Sequence, residues 1–347
     1  MGLSLVMTLC TLFTDIVVEK VFGPEIPGKY KHPAAITELT NGDLYIAYYG
    51  GDDEYDPNTA VFGTRKQSGS QSWSTPKVIA NTPFLSDGNP VVWQAPDGVV
   101  WLFYVVRYGD TWSDSLVHVK VSTDGAETWS DAFVMGCERG TMVRSKPIVL
   151  HDGNYLLPIY HETGHDREYT APTTVGSFFR IDPKTMTWTE TNRIQSRRGC
   201  LQPAVAQIDE HYLVAYLRRG GDYGPCTDCY MVRSESRDGG KTWSPGQETE
   251  FPNPNSAVDF LRLQNGHLML FYNNHMSERS PLTVALSTDN DKTYPYRRNL
   301  AEGRDDFAYP YAIQTRDGKI HVVFTSGERT IINHAVFDEE DILQAKP

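Results

Sequence analysis

The sequence predicts an all-β fold: a single six-bladed β-propeller of four-stranded antiparallel blades, occupying residues 1–347 as one domain. Three observations predict it. A turn motif recurs along the whole chain, closing on aromatics at 73, 129, 188, 243 and 294, and a period of about 50 to 60 residues signals a propeller or array. Six modules repeat the order apolar run, glycine turn, apolar run. Aromatics make up 12% of the residues and hydrophobics only 39%, which suits many short, half-exposed strands.

The turn motif is clearest in Ser236-Arg-Asp-Gly-Gly-Lys-Thr-Trp243, where Asp238 can bond its own backbone and Gly239 and Gly240 permit positive φ. Ser122 to Trp129 is a close copy and Ser287 to Tyr294 a weaker one, while Asp182 to Trp188 and Gln67 to Trp73 are worn. Trp73, Trp129, Trp188 and Trp243 read as packing residues.

The modules follow in order. Blade one has His32-Pro33, then Asn41-Gly42 and Leu44 to Tyr49; blade two has Asn89-Pro90, Asp97-Gly98 and Val99 to Val106. Blade three has Lys146-Pro147, Asp152-Gly153 and Tyr155 to Tyr160; blade four has Gln202-Pro203 and Tyr212 to Leu217. Blade five runs from Asn255 to Phe260 and, past Asn265-Gly266, to Tyr272; blade six has Tyr309-Pro310, Asp317-Gly318 and Lys319 to Thr325. Asn-Gly and Asp-Gly between apolar runs are strong hairpin signals. Ile331 to Phe337 reads as the third strand of blade six, and Asp15 to Phe22 is expected to supply its outer strand and close the ring.

A net charge of −12 argues against a nucleic-acid partner, because phosphate binding needs a basic surface. Local arginines can still attract an acidic small substrate. The apolar run Leu3 to Phe13 is too short to span a bilayer and lacks a basic start. The reading leans to a soluble cytoplasmic protein, with secretion as the alternative if residues 1–13 belong to a signal. Oligomeric state is left open. Cys226 and Cys229 form a Cys-x-x-Cys pair with Cys200 expected nearby; free thiols are favoured over a local disulfide or a metal, and no cofactor is expected.

Alternation of faces places the starts of first strands and the loops after second strands at one mouth of the channel, opposite the turn motifs. A concave rim of convergent polar groups is the default binding site. It collects His32, Asp53, Asn89, Lys146, Glu162, Arg198, Gln202, Arg218, Asp259, Asn274, Arg279, Tyr309 and Arg329, with Lys31 beside them. Glu162, after His161, suits general acid–base work. Asp259 lies within a strand, where a buried charge needs a partner, and reads rather as a structural group than as a catalyst.

The turn motifs are Asp-boxes, and the chain resembles the sialidase superfamily, in particular the BNR-repeat group of neuraminidase-like proteins. The resemblance spans nearly the whole chain and is sharpest in Asn253-Pro-Asn-Ser-Ala-Val-Asp259, Arg279 to Ser287 and Tyr309 to Gly318. It implies an exo-acting glycoside hydrolase on an acidic sugar, sialic-acid-like or a uronic acid. Arg218 resembles the second and Arg279 the third arginine of the carboxylate-binding set, Tyr309 the nucleophile and Asp53 the acid/base. Two positions depart: the first arginine's place reads Tyr30-Lys31-His32-Pro33, and the glutamate's place holds Gln202. Glutamine does not titrate, so Tyr309 is expected to stay protonated near pH 7 unless a carboxylate such as Asp259 or Glu162 approaches it. A uronic-acid lyase and a non-catalytic glycan-binding propeller remain alternatives.

Overall fold

The computed structural model describes residues 16–26 and 28–344. Six antiparallel sheets form the blades of a propeller. Blade one is Tyr30–Glu38, Leu44–Gly51, Ala60–Lys66 and Lys77–Ala80; blade two is Ser86–Gln94, Val100–Arg107, Ser115–Ser122 and Phe133–Val134. Blades four and five repeat the pattern from Cys200–Gln207 to Gln247–Pro252 and from Asp259–Arg262 to Tyr296–Ala301. Second strands such as Val100–Arg107 and Leu213–Arg219 are buried along their whole length, because a neighbouring blade covers each face.

The ring closes as expected. Val17–Phe22 pairs antiparallel with Ile331–Phe337, outside Ile320–Ser326 and Ala308–Gln314. Asp15 and the apolar run from Leu3 to Phe13 lie outside the described residues. Among the described residues no helix is long and apolar enough to cross a membrane. A short helix, Glu339–Leu343, follows the last strand and was not legible as one.

The Asp-boxes work through local hydrogen bonds. Asp238 accepts the Lys241 and Thr242 amides at 3.0 and 2.9 Å and the Thr242 hydroxyl at 2.6 Å, while Ser236 Oγ accepts the Gly240 amide. Asp124 and Asp289 hold Thr128 and Thr293 in the same way. Trp243 stacks on Phe178 at 4.3 Å between ring centroids. Trp188 departs from the packing expectation: it stands on an outer strand, Thr187–Glu190, whose four residues are all exposed.

Two first strands differ from the expected run. In blade three the strand is broken into Thr141–Val143 and Ile148–Val149, with Arg144 to Pro147 between. In blade five it starts only at Asp259, because Asn253 folds the preceding segment on itself through Ser256. The broken segments bring Arg144 to the Tyr309 carbonyl and Asn255 to Arg218.

The cysteine expectation is corrected. Cys226 and Cys229 form a disulfide, their Cα atoms 5.7 Å apart, within the usual range for a bridge. The tight loop between the second and third strands of blade four brings them together. Cys200 is buried and free, and Cys137 is free and exposed.

Candidate active site

At the start of several first strands the ladder slips by a bulge: between Lys31 and Ala34, Gly88 and Val91, Leu201 and Ala204, and Ala308 and Tyr311. Bulges re-aim side chains and cluster beside active sites. Inside three of them Asn89, Gln202 and Tyr309 hold φ of 43°, 53° and 57°. A tyrosine with positive φ costs on the order of 1–3 kcal/mol and persists only where its surroundings hold it. Arg144 does so here: its Nη2 donates to the Tyr309 carbonyl at 2.8 Å and to that of Pro310 at 3.3 Å.

Tyr309 is buried at the floor of a narrow cavity walled by Glu54, Tyr55, Asn89, Tyr160, Glu162, Arg167, Gln202, Arg218, Tyr223 and Arg329. Arg218 organises the floor. It donates to the Tyr309 hydroxyl at 2.6 Å, to Gln202 Oε1 at 3.2 Å, to Asn255 Oδ1 at 2.6 Å and to the Tyr223 hydroxyl at 2.8 Å. Arg279 lies 5.5 Å from the Tyr309 ring centre and 5.4 Å from that of Tyr223. Its Nη2 donates to the Asn255 carbonyl, while its Nη1 is buried without a partner. Arg329 donates to the Tyr30 hydroxyl and reaches Glu54.

This frame sets the ionisation of Tyr309. Burial opposes its anion, but the Arg218, Arg279 and Arg329 guanidinium groups outweigh burial and bring the phenol below its ordinary value. A neighbouring base is not the only way to lower a phenol. The missing signal was the summed field of cations from separate blades. The same field, added to burial, keeps His32 neutral; its ring lies edge-on to Tyr309 at 4.2 Å and its Nδ1 pairs with Thr325 Oγ1 at 2.7 Å.

Three glutamates stand on the walls, Glu54, Glu162 and Glu168. Burial pushes Glu162 up to about 7, against the pull of Arg218. Glu54 accepts hydrogen bonds from Tyr30 at 2.8 Å and Tyr49 at 3.2 Å. Glu54, not Asp53, therefore lines the cavity; Asp53 caps the Tyr55 amide on the exposed side of the same loop. Strand alternation does not carry into a loop, so it does not tell which of the neighbours Asp53 and Glu54 turns inward.

The remaining candidates divide. Gln202 and Asn89 both reach the Tyr160 hydroxyl at the cavity wall. Lys31 points away from His32, as strand neighbours must, and donates to the Ile26 and Gly28 carbonyls. Lys146 and Asp259 form a buried ion pair at 2.7 Å, and Asp259 also accepts the Ala312 amide, so this pair braces the channel. Arg198 binds Asp228 and the sulfurs of the disulfide. Asn274 is exposed, with its amide on the Pro281 carbonyl. His161 faces Glu190 at 2.7 Å, opposite in direction to Glu162.

The BNR repeat-like domain family matches residues 42–322. The chain belongs to this family. No curated protein matches this BNR-repeat chain. Among solved structures it is similar to the Hadza microbial sialidase Hz136, at TM-score 0.74 and 16% identity over 90% of this chain and 66% of that one. The NanB sialidase of Streptococcus pneumoniae follows at TM-score 0.76 and 10% identity, over 93% of this chain and 71% of that one. The intramolecular trans-sialidase of Ruminococcus gnavus, solved with oseltamivir carboxylate, matches at TM-score 0.74 and 13% identity, over 94% and 98%. At such identities the likeness establishes the sialidase fold of this BNR-repeat propeller and nothing finer.

Proposed function

We propose that this BNR-repeat protein is an exo-acting glycoside hydrolase on an acidic sugar. The observation that carries the reading is geometric: Arg218 donates to the Tyr309 hydroxyl at 2.6 Å, Arg279 lies 5.5 Å from its ring centre, and Arg329 lines the same cavity. Arg218 already has four partners, so the substrate carboxylate falls to Arg279, whose Nη1 has none, with Arg329 on the same cavity wall. Tyr309 is the nucleophile, activated by neighbouring cations in place of a glutamate base. Glu162, protonated near neutral pH, is the general acid for the leaving oxygen. Gln202 and Asn255 hold Arg218 in place. The cavity is tight, about 40 Å³, so the reading includes withdrawal of the half-exposed Arg167, which rests on the Asp110 carbonyl and the Tyr55 ring.

A second reading, β-elimination from a uronic acid, is favoured by the lowered Tyr309 phenol: its anion can take a proton while the arginines stabilise the carboxylate. One screen separates the two. Sialosides and uronic-acid oligosaccharides are assayed for new reducing ends and for ultraviolet absorbance of an unsaturated product. The hydrolase reading expects reducing ends without that absorbance, and loss of about a hundredfold or more in kcat for Tyr309→Phe. Unsaturated product would establish the lyase instead. Binding without turnover of any acidic glycan would leave a lectin-like propeller.

A further inference from the structure

The loop between the second and third strands of blade four carries a disulfide with a guanidinium held against it, and the Tyr309 chemistry uses neither. Cys226 and Cys229 are bridged across Thr227 and Asp228, a Cys-x-x-Cys spacing shared with disulfides that open and close. The two sulfurs differ in access. Cys229 is buried and its carbonyl accepts the Asn253 amide at 2.9 Å, while Cys226 is half-buried.

They also differ in charged neighbours. Arg198 Nη1 donates to Cys229 Sγ at 3.1 Å and to Cys226 Sγ at 3.4 Å, while Asp228 Oδ1 lies 3.5 Å from Cys226 Sγ. Arg198 and Arg197 both pair with Asp228, and Arg197 also holds Glu248. The segment from Tyr223 to Cys226 hangs between two anchors. On one side Arg219 holds the Gly220 and Asp222 carbonyls and Asn255 holds that of Gly221. On the other stand the bridge and the Cys226 amide, which donates to Ser277 Oγ at 3.1 Å. Between them Tyr223 walls the Tyr309 cavity and accepts from Arg218 at 2.8 Å.

We propose that the Cys226–Cys229 bridge is a thiol–disulfide exchange site for a dithiol reductant, and that opening it frees the segment that carries Tyr223. A reductant thiolate attacks Cys226 Sγ, the accessible sulfur, and the electron pair of the S–S bond leaves on Cys229 Sγ, where Arg198 stabilises the thiolate. The reductant's second thiolate attacks its own sulfur in the mixed disulfide and expels Cys226, which takes up a proton beside Asp228. Two electrons pass to the protein and the reductant leaves as its disulfide. Of its two protons one ends on Cys226 and the other on solvent. Cys229 stays fixed by its burial and by Asn253, so the Cys226 end is the one released. The effect on turnover rests on the reading of the Tyr309 site; the exchange chemistry does not.

The test equilibrates the full chain with mixtures of reduced and oxidised glutathione, a monothiol that traps the mixed disulfide a dithiol would resolve. Samples are quenched in acid and alkylated, and each cysteine is read by peptide mass, with the free, exposed Cys137 as the labelling control. Hydrogen exchange over residues 221–230 is followed in parallel, and Arg198→Gln is compared with the wild type. The expected result is opening within the glutathione range, with glutathione caught on Cys226 and not on Cys229. Exchange over residues 223–226 should quicken about tenfold or more on reduction. Arg198→Gln should move the midpoint about tenfold toward the bridged form. A bridge that no glutathione mixture opens, a trap on Cys229, or a midpoint indifferent to Arg198 overturns the exchange site. Unchanged hydrogen exchange on reduction overturns the release of Tyr223. The trap and the exchange rate are read on the wild type, so they decide even where the variant folds poorly. None of these outcomes touches the acidic-sugar reading, which stands or falls by the glycan screen.

Discussion

Glu162 shows how one position decides a pH response. Its carboxyl is held up to about 7 by burial, well above an exposed glutamate. A raised carboxyl pKa costs stability as pH climbs above the unfolded value, and the cost is complete once pH passes the folded value. Glu162→Gln should therefore stabilise the protein at pH 8 by roughly 1–3 kcal/mol and leave it nearly unchanged at pH 4, as read by urea melts at both values. As general acid, the same group requires turnover to fall as pH rises through about 7. A rate that rises through that range would assign it the role of base. Neighbour alternation explains what could be read here from sequence. Glu162, Arg218 and Tyr309 were legible because they sit at strand ends with known phase. Lys31 has the wrong phase beside His32, and Glu54, Tyr55 and Tyr223 lie in loops, where no period tells which side chain turns inward.

At the scale of elements, the loop between the second and third strands of blade four is the most consequential. It carries Tyr223 over Arg218 and beneath Arg279. Three ties fix it: the Cys226–Cys229 disulfide, Asn255 Nδ2 on the Gly221 carbonyl at 2.9 Å, and the Cys226 amide on Ser277 Oγ at 3.1 Å. The bridge closes a very short loop, so its effect is local, and global stability should change little when it is lost. The Cys226→Ser, Cys229→Ser variant is expected to raise KM several-fold with kcat and Tm nearly constant. A large fall in Tm with an unchanged KM would show that the bridge serves the blade and not the site. The bridge was not legible in the sequence, since a Cys-x-x-Cys spacing is compatible with metal, disulfide or thiols until the backbone brings the pair together. The bulges were equally hidden, although the proline after each mouth residue marks where they fall.

At the scale of the whole molecule, the ring is closed by a clasp. Glu19, on the N-terminal strand, accepts from His334 at 2.9 Å and pairs with Lys66 of blade one; His334 in turn meets His321 at 2.9 Å. Burial lowers His334 despite Glu19 and takes His321 to about 4. A depressed histidine pKa gives stability that is present above the unfolded value and lost as pH falls from about 6.5 toward about 4. The melting temperature should drop across that window, and His321→Gln should flatten the drop; an equally steep loss in the variant would place the acid sensitivity elsewhere. Closure by the terminal strand was legible from the missing fourth strand of blade six, whereas the histidine relay depends on side chains from three strands.

The same ring brings Arg218, Arg279 and Arg329 from blades four, five and six onto Tyr309, and the central claim is that their field is what chiefly makes the phenol ionisable. The direct measurement is a spectrophotometric titration of tyrosinate, taken as the difference between the wild type and Tyr309→Phe, and repeated in Arg279→Gln. The expected result is one phenol ionising below pH 10 in the wild type, absent from Tyr309→Phe and moved upward in Arg279→Gln. A Tyr309 that ionises only at or above pH 10, indifferent to Arg279, would contradict the account.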